Sequence, residues 1–572
     1  MSNLAQQERE ASLDSEGMER GLGFLGLLWA SEASIIGSGW LFGALTAATI
    51  AGPSALIAWG IATVIVIILA LIHAELGGMF PVSGGTSRYP HYAFGSFAGM
   101  TFGWMSYLQA AAVAPIEVLA AIQYLSSVHA FRHWYNGVKL TGVGIVVAVI
   151  LMIVFTFINL VGVRWLARVN NALTWWKVMV PVLTIIVLLI FKFHSANFSH
   201  GGGFFVKGAA VKSILLAIPG GGIVFSLLGF EQAVQLGGEA RNPKDIPKAV
   251  ILSILIGGTI YILVQLAFIA ALRPSLVAHF GWTSLAPSVD HNATLKALNA
   301  APFYSVAKLA GLMWLAVILR IDAVVSPSGT GLIYLTSASR ILFALSKNGY
   351  VPERFEDVSG RARVPVYAII LTAIVGLIFL LPFPSWAKLV GVVTSASVLM
   401  YAGAPLALGA LRLQKPELPR SYRLPAGAVM APIGFVLATL IVYWSGWQVY
   451  TTLMVALLLG FALMAISFTG HMNPNQPKID TNSVPWVLAY LIGMLVISYF
   501  GDFGAGGIIG GVGVFKHVLD QGGNDDLGLY GGMGVSAGWS LVIYYWALST
   551  RLRPDQVDHY VREVYPPPAG EG

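Results

Sequence analysis

Seven ionisable residues stand inside long apolar stretches of this 572-residue chain: Glu32, Glu75, Glu117, Lys177, Glu231, Arg320 and Asp322. A charge in hydrocarbon is expensive, so each must face protein or water, and the chemistry open to them is proton exchange or ion pairing. Lys177, in Thr174-Trp-Trp-Lys-Val-Met-Val-Pro181, has two readings by position. It is an ammonium that snorkels to the membrane face, or a buried amine that can lose and regain a proton because burial disfavours the charged form. Arg320 and Asp322 are two residues apart, so they point in different directions on a helix, and a scaffold ion pair with some other residue is the expectation for either. Covalent chemistry has no candidate, because no nucleophile and base stand at usable spacing. Cysteine is absent, which excludes disulfides and thiolate metal sites. The eleven histidines are scattered and include no helical His-Glu-x-x-His pair, so no metal site is expected. Gly201-Gly-Gly203 and Gly220-Gly-Gly222 lack the strand and lysine of a phosphate loop.

The elements that must position these groups are interrupted twice. Ser34-Ile-Ile-Gly-Ser-Gly-Trp-Leu-Phe-Gly43 lies in the middle of the first apolar segment, which runs from Gly23 to about Gly52. Glycine costs about 1 kcal/mol relative to alanine in a helix interior, and an unpaired backbone group in hydrocarbon costs more still. The sixth apolar segment is broken at Ile218-Pro-Gly-Gly-Gly-Ile-Val-Phe-Ser-Leu-Leu-Gly-Phe-Glu231. Either break alone reads equally as close helix packing or as the wall of a cavity; the matched pair, five spans apart, favours the cavity. An odd repeat length inverts the second copy, which gives two five-helix halves of opposite topology and a site near the midplane.

Composition fixes the class. Hydrophobic residues make up 56% and charged residues 10% of the chain, against about 25% charged in a soluble protein. Stretches such as Leu56 to Leu76 and Ile251 to Leu272 are long enough to cross a hydrocarbon core about 30 Å thick. The chain therefore reads as an all-α polytopic membrane protein, and the alternation of a membrane β-barrel is absent. About fourteen spans are expected, the fifth starting near Ala172 and the eighth near Tyr304. With the N-terminus inside, 21 of the 33 basic residues fall on the inner side and ten on the outer, leaving Lys177 and Arg320 in the membrane. Both termini are thus expected in the cytoplasm of a bacterial-type inner (plasma) membrane. The net charge of +7 is read as loop asymmetry rather than as nucleic-acid binding, and the acidic first twenty residues lack the basic region of a signal peptide. The expected organisation is a tail over 1–22, a first inverted repeat over 23–210, a second over 211–415, peripheral helices 11 to 14 over 416–550 and a tail over 551–572. The Gly501 to Leu529 loop is external, glycine-rich and acidic, with no role assigned. Oligomeric state has no signal in one sequence.

Gly37-Ser-Gly39, Gly229-Phe-Glu231 and Gly238-Glu-Ala-Arg-Asn-Pro-Lys-Asp-Ile-Pro-Lys248 resemble the amino acid, polyamine and organocation transporter superfamily. So do Asn159-Leu-Val-Gly-Val163, Asn170-Asn171 and Ser339-Arg-Ile-Leu-Phe-Ala-Leu-Ser-Lys-Asn-Gly-Tyr-Val-Pro352. Arg88-Tyr-Pro90, Asp322-Ala-Val-Val-Ser-Pro327, Leu381-Pro-Phe-Pro-Ser-Trp386, Tyr443-Trp-Ser-Gly-Trp447 and Ile543-Tyr-Tyr-Trp546 look most like the bacterial aspartate and proton symporters.

The resemblance implies the five-plus-five inverted-repeat fold with about four additional C-terminal helices, and a small amino acid as substrate. Its α-carboxylate would sit on backbone N–H groups around Ile36, Gly37, Ser38 and Gly39, where a half-helix N-terminus presents orphan donors. Its α-amine would meet carbonyls around Phe225, Ser226, Leu227 and Gly229. Phe225 occupies the family's place for an aromatic gate; the alternative is a packing phenylalanine. Lys177 matches a fifth-helix lysine whose ammonium stands, in proton-coupled relatives, where sodium sits in sodium-coupled ones. Proton coupling follows, with no sodium site and no cofactor. Ser328, with Ser326 and Thr330, is a candidate oxygen partner. Glu231 is a second candidate for proton coupling and departs from the aspartate symporters, since an extra carboxylate repels an acidic side chain unless protonated or paired. The function expected is an inward, proton-coupled amino acid symporter, acidic amino acids first and neutral or cationic ones as the alternative. An exchanger needing internal substrate is the runner-up, and a channel or non-transporting sensor is the weakest reading.

Overall fold

The computed structural model describes residues 20–136, 139–161, 163–286, 292–359, 362–380, 386–504 and 522–565. The first nineteen residues, Leu381 to Ser385, most of the Gly501 to Leu529 loop and the last seven residues lie outside the described residues, as do the side chains of Asn170 and Asn171.

Every named element is a helix, and strand-like pairing among the described residues is limited to isolated bridges. Hydrocarbon offers no partner to a backbone N–H or C=O, so a chain this apolar satisfies them within each span. The first crossing is two half-helices, α1 (Phe24–Ile35) and α2 (Ser38–Ala51), followed by α3 (Ala55–Met79). A short α4 (Gly85–Phe94) leads into α5 (Ser96–Leu125), α6 (Gly142–Val161) and α7 (Val163–Phe191). The sixth crossing is broken into α8 (Ala210–Gly220), α9 (Ile223–Leu227) and α10 (Gln232–Gln235). After α11 (Asp245–Ala271) come three short helices, α12 (Pro274–Phe280), α13 (Ala293–Ala300) and α14 (Pro302–Leu309). Three crossings follow, α15 (Met313–Lys347), α16 (Val366–Phe379) and α17 (Trp386–Gln414). The remaining crossings are α18 (Gly427–Ser445), α19 (Trp447–Thr469), α20 (Val484–Tyr499) and α21 (Gly528–Ser549), and α22 (Pro554–Val564) ends the described chain.

Among the described residues nine helical stretches are long and apolar enough to cross a membrane, and α1, α8, α16 and α20 are shorter apolar helices. Together these thirteen follow the order of the first thirteen expected spans, and α21, in the place of the fourteenth, is in neither group. Two starts differ. The fifth helix begins at Val163 rather than near Ala172. The eighth begins at Met313, because Tyr304 lies in the separate α14, whose exit turns at Gly311 with φ +77°.

Packing puts the broken crossings at the centre. α5 and α15 lie along one another, α11 lies on α1 and α3, and α7 contacts α1, α11 and α15. Ala110, Ala111, Ala112 and Ala114 of α5 are all buried, and small residues let helices approach closely where lipid supplies no hydrophobic drive. The scaffold ion pairs expected for Arg320 and Asp322 are absent among the described residues. Arg320 donates to the Tyr304 hydroxyl at 2.6 Å and lies 4.0 Å from that ring's centroid. Asp322 accepts from Trp40 Nε1 at 3.0 Å and from Ser326 Oγ at 2.8 Å. An aromatic N–H and hydroxyl groups, rather than an opposite charge in contact, are what these two side chains bond to. Glu75 does form a scaffold pair, holding Arg412 at 2.5 Å and Arg420 at 3.1 Å.

Candidate functional site

Helix α1 stops because Ile36 leaves helical geometry at φ −88°, ψ 79°, and Gly37 follows extended at φ −115°, ψ −144°. The chain re-enters a helix at Ser38, so the amides at the start of α2 have no helical partner. A third element fills one of them. Glu117 of α5, fully buried, accepts the Ser38 N–H on Oε2 at 2.8 Å and the Ser38 hydroxyl on Oε1 at 2.9 Å. A carboxylate at a helix N-terminus is the stable arrangement, since both the orphan donors and the helix dipole favour it.

The second break is longer. Pro219 lacks an N–H, Gly222 takes the left-handed conformation at φ +76°, and after α9 the backbone extends at Leu228 and turns at Gly229 with φ +129°. The freed groups are met locally. Gly229 N–H donates to Glu231 Oε2 at 2.8 Å, and Tyr334 and Tyr401 hydroxyls donate to the same carboxyl at 3.1 and 2.9 Å. The Phe225 and Gly229 carbonyls accept from the Leu228 and Gln232 amides at 3.2 and 3.0 Å.

Between the breaks is a small cavity lined by Gly37, Gly39, Glu117, Phe225, Ser226 and Tyr334, among others. Its free volume is about 10 Å³, room for one water rather than an amino acid. Aromatic rings pack behind Phe225 at one end. Trp386 stands 5.0 Å from the Phe42 ring and 5.9 Å, edge-on, from the Phe225 ring. The opposite end is closed by the Glu231, Tyr334 and Tyr401 cluster. Farther out, Leu22 N–H donates to the Glu239 carbonyl at 3.0 Å, Arg241 N–H donates to the Leu22 carbonyl at 2.8 Å, and Arg340 holds the Glu239 carboxylate at 2.7 Å.

Lys177 is buried, not snorkelling. Its ammonium donates to the Ala33 carbonyl, three residues before Ile36, and to Thr330 Oγ1 at 2.8 Å; Thr330 in turn donates to the Ala33 carbonyl at 2.6 Å. Glu32, Glu117 and Asp322 lie within electrostatic reach of this cation. Both Glu32 oxygens are buried without a hydrogen-bond partner.

The structure thus brings Gly37, Gly39, Phe225 and Ser226 to the cavity wall. Ile36, Ser38, Leu227 and Gly229 flank it, and Glu231 lies behind Tyr334. Ser328 is not brought to Lys177. It precedes Thr330 by two positions, about 200° around a helix at 3.6 residues per turn, so only one of the two can face the lysine. Sequence reasoning missed Glu117, Tyr334 and Trp386 as parts of the site. The one signal that pointed to Glu117 was a carboxylate in an apolar run together with an unpaired amide at Ser38 needing an acceptor.

Two broken crossings enclosing a buried cavity, with a cation tying α1 to α15, define a membrane transporter rather than an enzyme. The amino acid permease family model matches residues 22–497, and the chain belongs to that family. It is 36% identical to the glutamate/serine transporter AimA of Bacillus subtilis, over 93% of this chain and 94% of that one. It is 32% identical to the aspartate-proton symporter of the same organism, over 95% and 98%. The branched-chain amino acid permease BcaP, also of Bacillus subtilis, is 26% identical over 82% and 97%. The protein is a multi-pass amino acid permease.

Proposed function

We propose that this permease carries an amino acid inward together with a proton, with acidic amino acids as the first substrate class. The observation that carries the coupling is the position of Lys177, whose ammonium is held by a backbone carbonyl beside the first break and by a hydroxyl of α15. Those oxygens are the kind that would otherwise coordinate a monovalent metal cation. An amine there can give up its proton to a neighbouring carboxyl as the half-helices rock, and sodium is then unnecessary.

In this reading the substrate carboxylate takes over the Ser38 donors from Glu117, and its amine uses the second lone pairs of carbonyls in the α9 to α10 segment. The cavity opens to admit it, since its present volume is that of a water. The relatives' names support acidic substrates. The carboxyls of Glu117 and Glu231 add a condition, because an acidic side chain is tolerated beside them only when they are protonated or paired. Both termini lie in the cytoplasm, so Trp386 faces the outside and the Arg340 pair the inside.

Uptake into liposomes containing the purified protein checks this. Labelled aspartate, glutamate and serine are offered in turn with an outside-acid gradient. At least one is expected to accumulate, equally in sodium, potassium or choline media, without internal amino acid. Strict dependence on sodium would sink the coupling role of Lys177, and a need for preloaded amino acid would make the protein an exchanger.

A further inference from the structure

Trp386 and Tyr401 stand on the same helix, α17, fifteen residues and therefore about 22 Å apart at 1.5 Å per residue. Tyr401 serves the Glu231 cluster behind Tyr334 of the cavity wall; Trp386 is buried behind Phe225 of that wall. Its ring packs on Phe42 of α2 and edge-on to Phe225 of α9, and a Cβ on Gly222 would lie 3.3 Å from its edge. One tryptophan thus touches both broken crossings. Its Nε1–H donates to Ser38 Oγ at 2.8 Å, and the Ser38 hydroxyl donates onward to Glu117 at 2.9 Å.

We infer that Trp386 is a positioning residue, an outer latch that closes over the cavity only while a carboxylate sits at the start of α2. The Ser38 hydroxyl has one proton. When that proton goes to a carboxylate, the oxygen becomes a better acceptor for the indole N–H, because successive hydrogen bonds polarise one another. Glu117 supplies the carboxylate in the structure described. A substrate carboxylate that displaces Glu117 from both Ser38 donors restores the same chain, so the latch re-forms over a carboxylate-bearing ligand and not over a simple amine. Recognition of the backbone carboxylate and closure of the lid become one event. This rests on the substrate and orientation reading above.

The cysteine-free chain makes the test direct. In the full-length protein, Val113→Cys places one thiol on the cavity wall. Its rate of modification by a membrane-impermeant thiol reagent, added outside right-side-out vesicles, reports opening of the lid. Trp386→Phe keeps one aromatic ring against Phe42 and Phe225 but removes the N–H and part of the indole's packing surface; it is expected to raise that rate roughly three- to tenfold or more, three- to tenfold being the value of one hydrogen bond. Ser38→Ala is expected to do the same. The double variant is expected to label no faster than the faster single, whereas mere loosening of packing would multiply the two effects. Labelling of Trp386→Phe at the parental rate, or multiplication in the double variant, overturns the latch. Aspartate, glutamate or serine is expected to slow labelling in the parent and putrescine to leave it unchanged; slowing by putrescine also overturns it. If none of the three amino acids alters the parental rate, the substrate reading fails, while the comparison of variants without amino acid still decides the lid.

Discussion

Lys177→Ala abolishes uptake driven by a pH gradient while the protein still folds. The ammonium is the cation that joins the Ala33 carbonyl to α15, and removing one partner of a buried charged set costs about 3–5 kcal/mol, more than two powers of ten in a coupled equilibrium. The fold survives because Thr330 keeps its own 2.6 Å bond to Ala33 and the carboxyls within reach of the lost cation can neutralise by taking up protons. Exchange of preloaded amino acid across the membrane is expected to persist, since the carboxylate site at Ser38 is untouched. Gradient-driven uptake and counterflow on one preparation, with size-exclusion elution as the folding check, separate these effects. Accumulation at the parental level would show that Lys177 does not couple.

The second large effect falls on Gly229→Ala. Its backbone sits at φ +129°, and a Cβ there would lie 2.6 Å from the Ile35 nitrogen and 2.8 Å from Ser34 Cβ. The first contact is backbone, at the end of α1, so relief means moving the first break away from the second. Strain of about 1–3 kcal/mol for the conformation adds to overpacking of about 1–3 kcal/mol. A lowered thermal midpoint in detergent and loss of uptake are expected together. Gly202→Ala is the control. It shares a positive φ of +117° but meets nothing within 4 Å, so it carries the conformational cost alone and should leave uptake intact. A Gly229→Ala protein with parental midpoint and uptake would mean that the two breaks need not touch.

The halves of the site that lie within one stretch of chain were legible from residue types. Gly37 to Gly39, Pro219 to Gly222 and Gly229 are poor helix formers in apolar runs, and the helices do break there. Lys177 was legible as a costly charge, and resemblance rather than spacing chose burial over snorkelling. What was not legible depends on helix rotation and on partners far along the chain. Glu117 is 79 positions from Ser38 and Trp386 is 348 positions from it, and no local pattern relates such residues. Thr330 rather than Ser328 faces Lys177 because of helical phase, which a list of three nearby hydroxyls leaves open. Arg320 and Asp322 were correctly kept apart by their spacing, but their partners, Tyr304, Trp40 and Ser326, are uncharged, and an expectation framed as ion pairs missed them.

The central claim is that a proton enters with the amino acid and that Lys177 carries the coupling. A pH-sensitive dye trapped inside liposomes measures this in sodium-free medium with no initial pH gradient. Adding the transported amino acid outside, with an inside-negative potential, is expected to acidify the lumen in step with labelled uptake, and Lys177→Ala is expected to remove the acidification. Uptake without acidification in the parent, or equal acidification in Lys177→Ala, would contradict it.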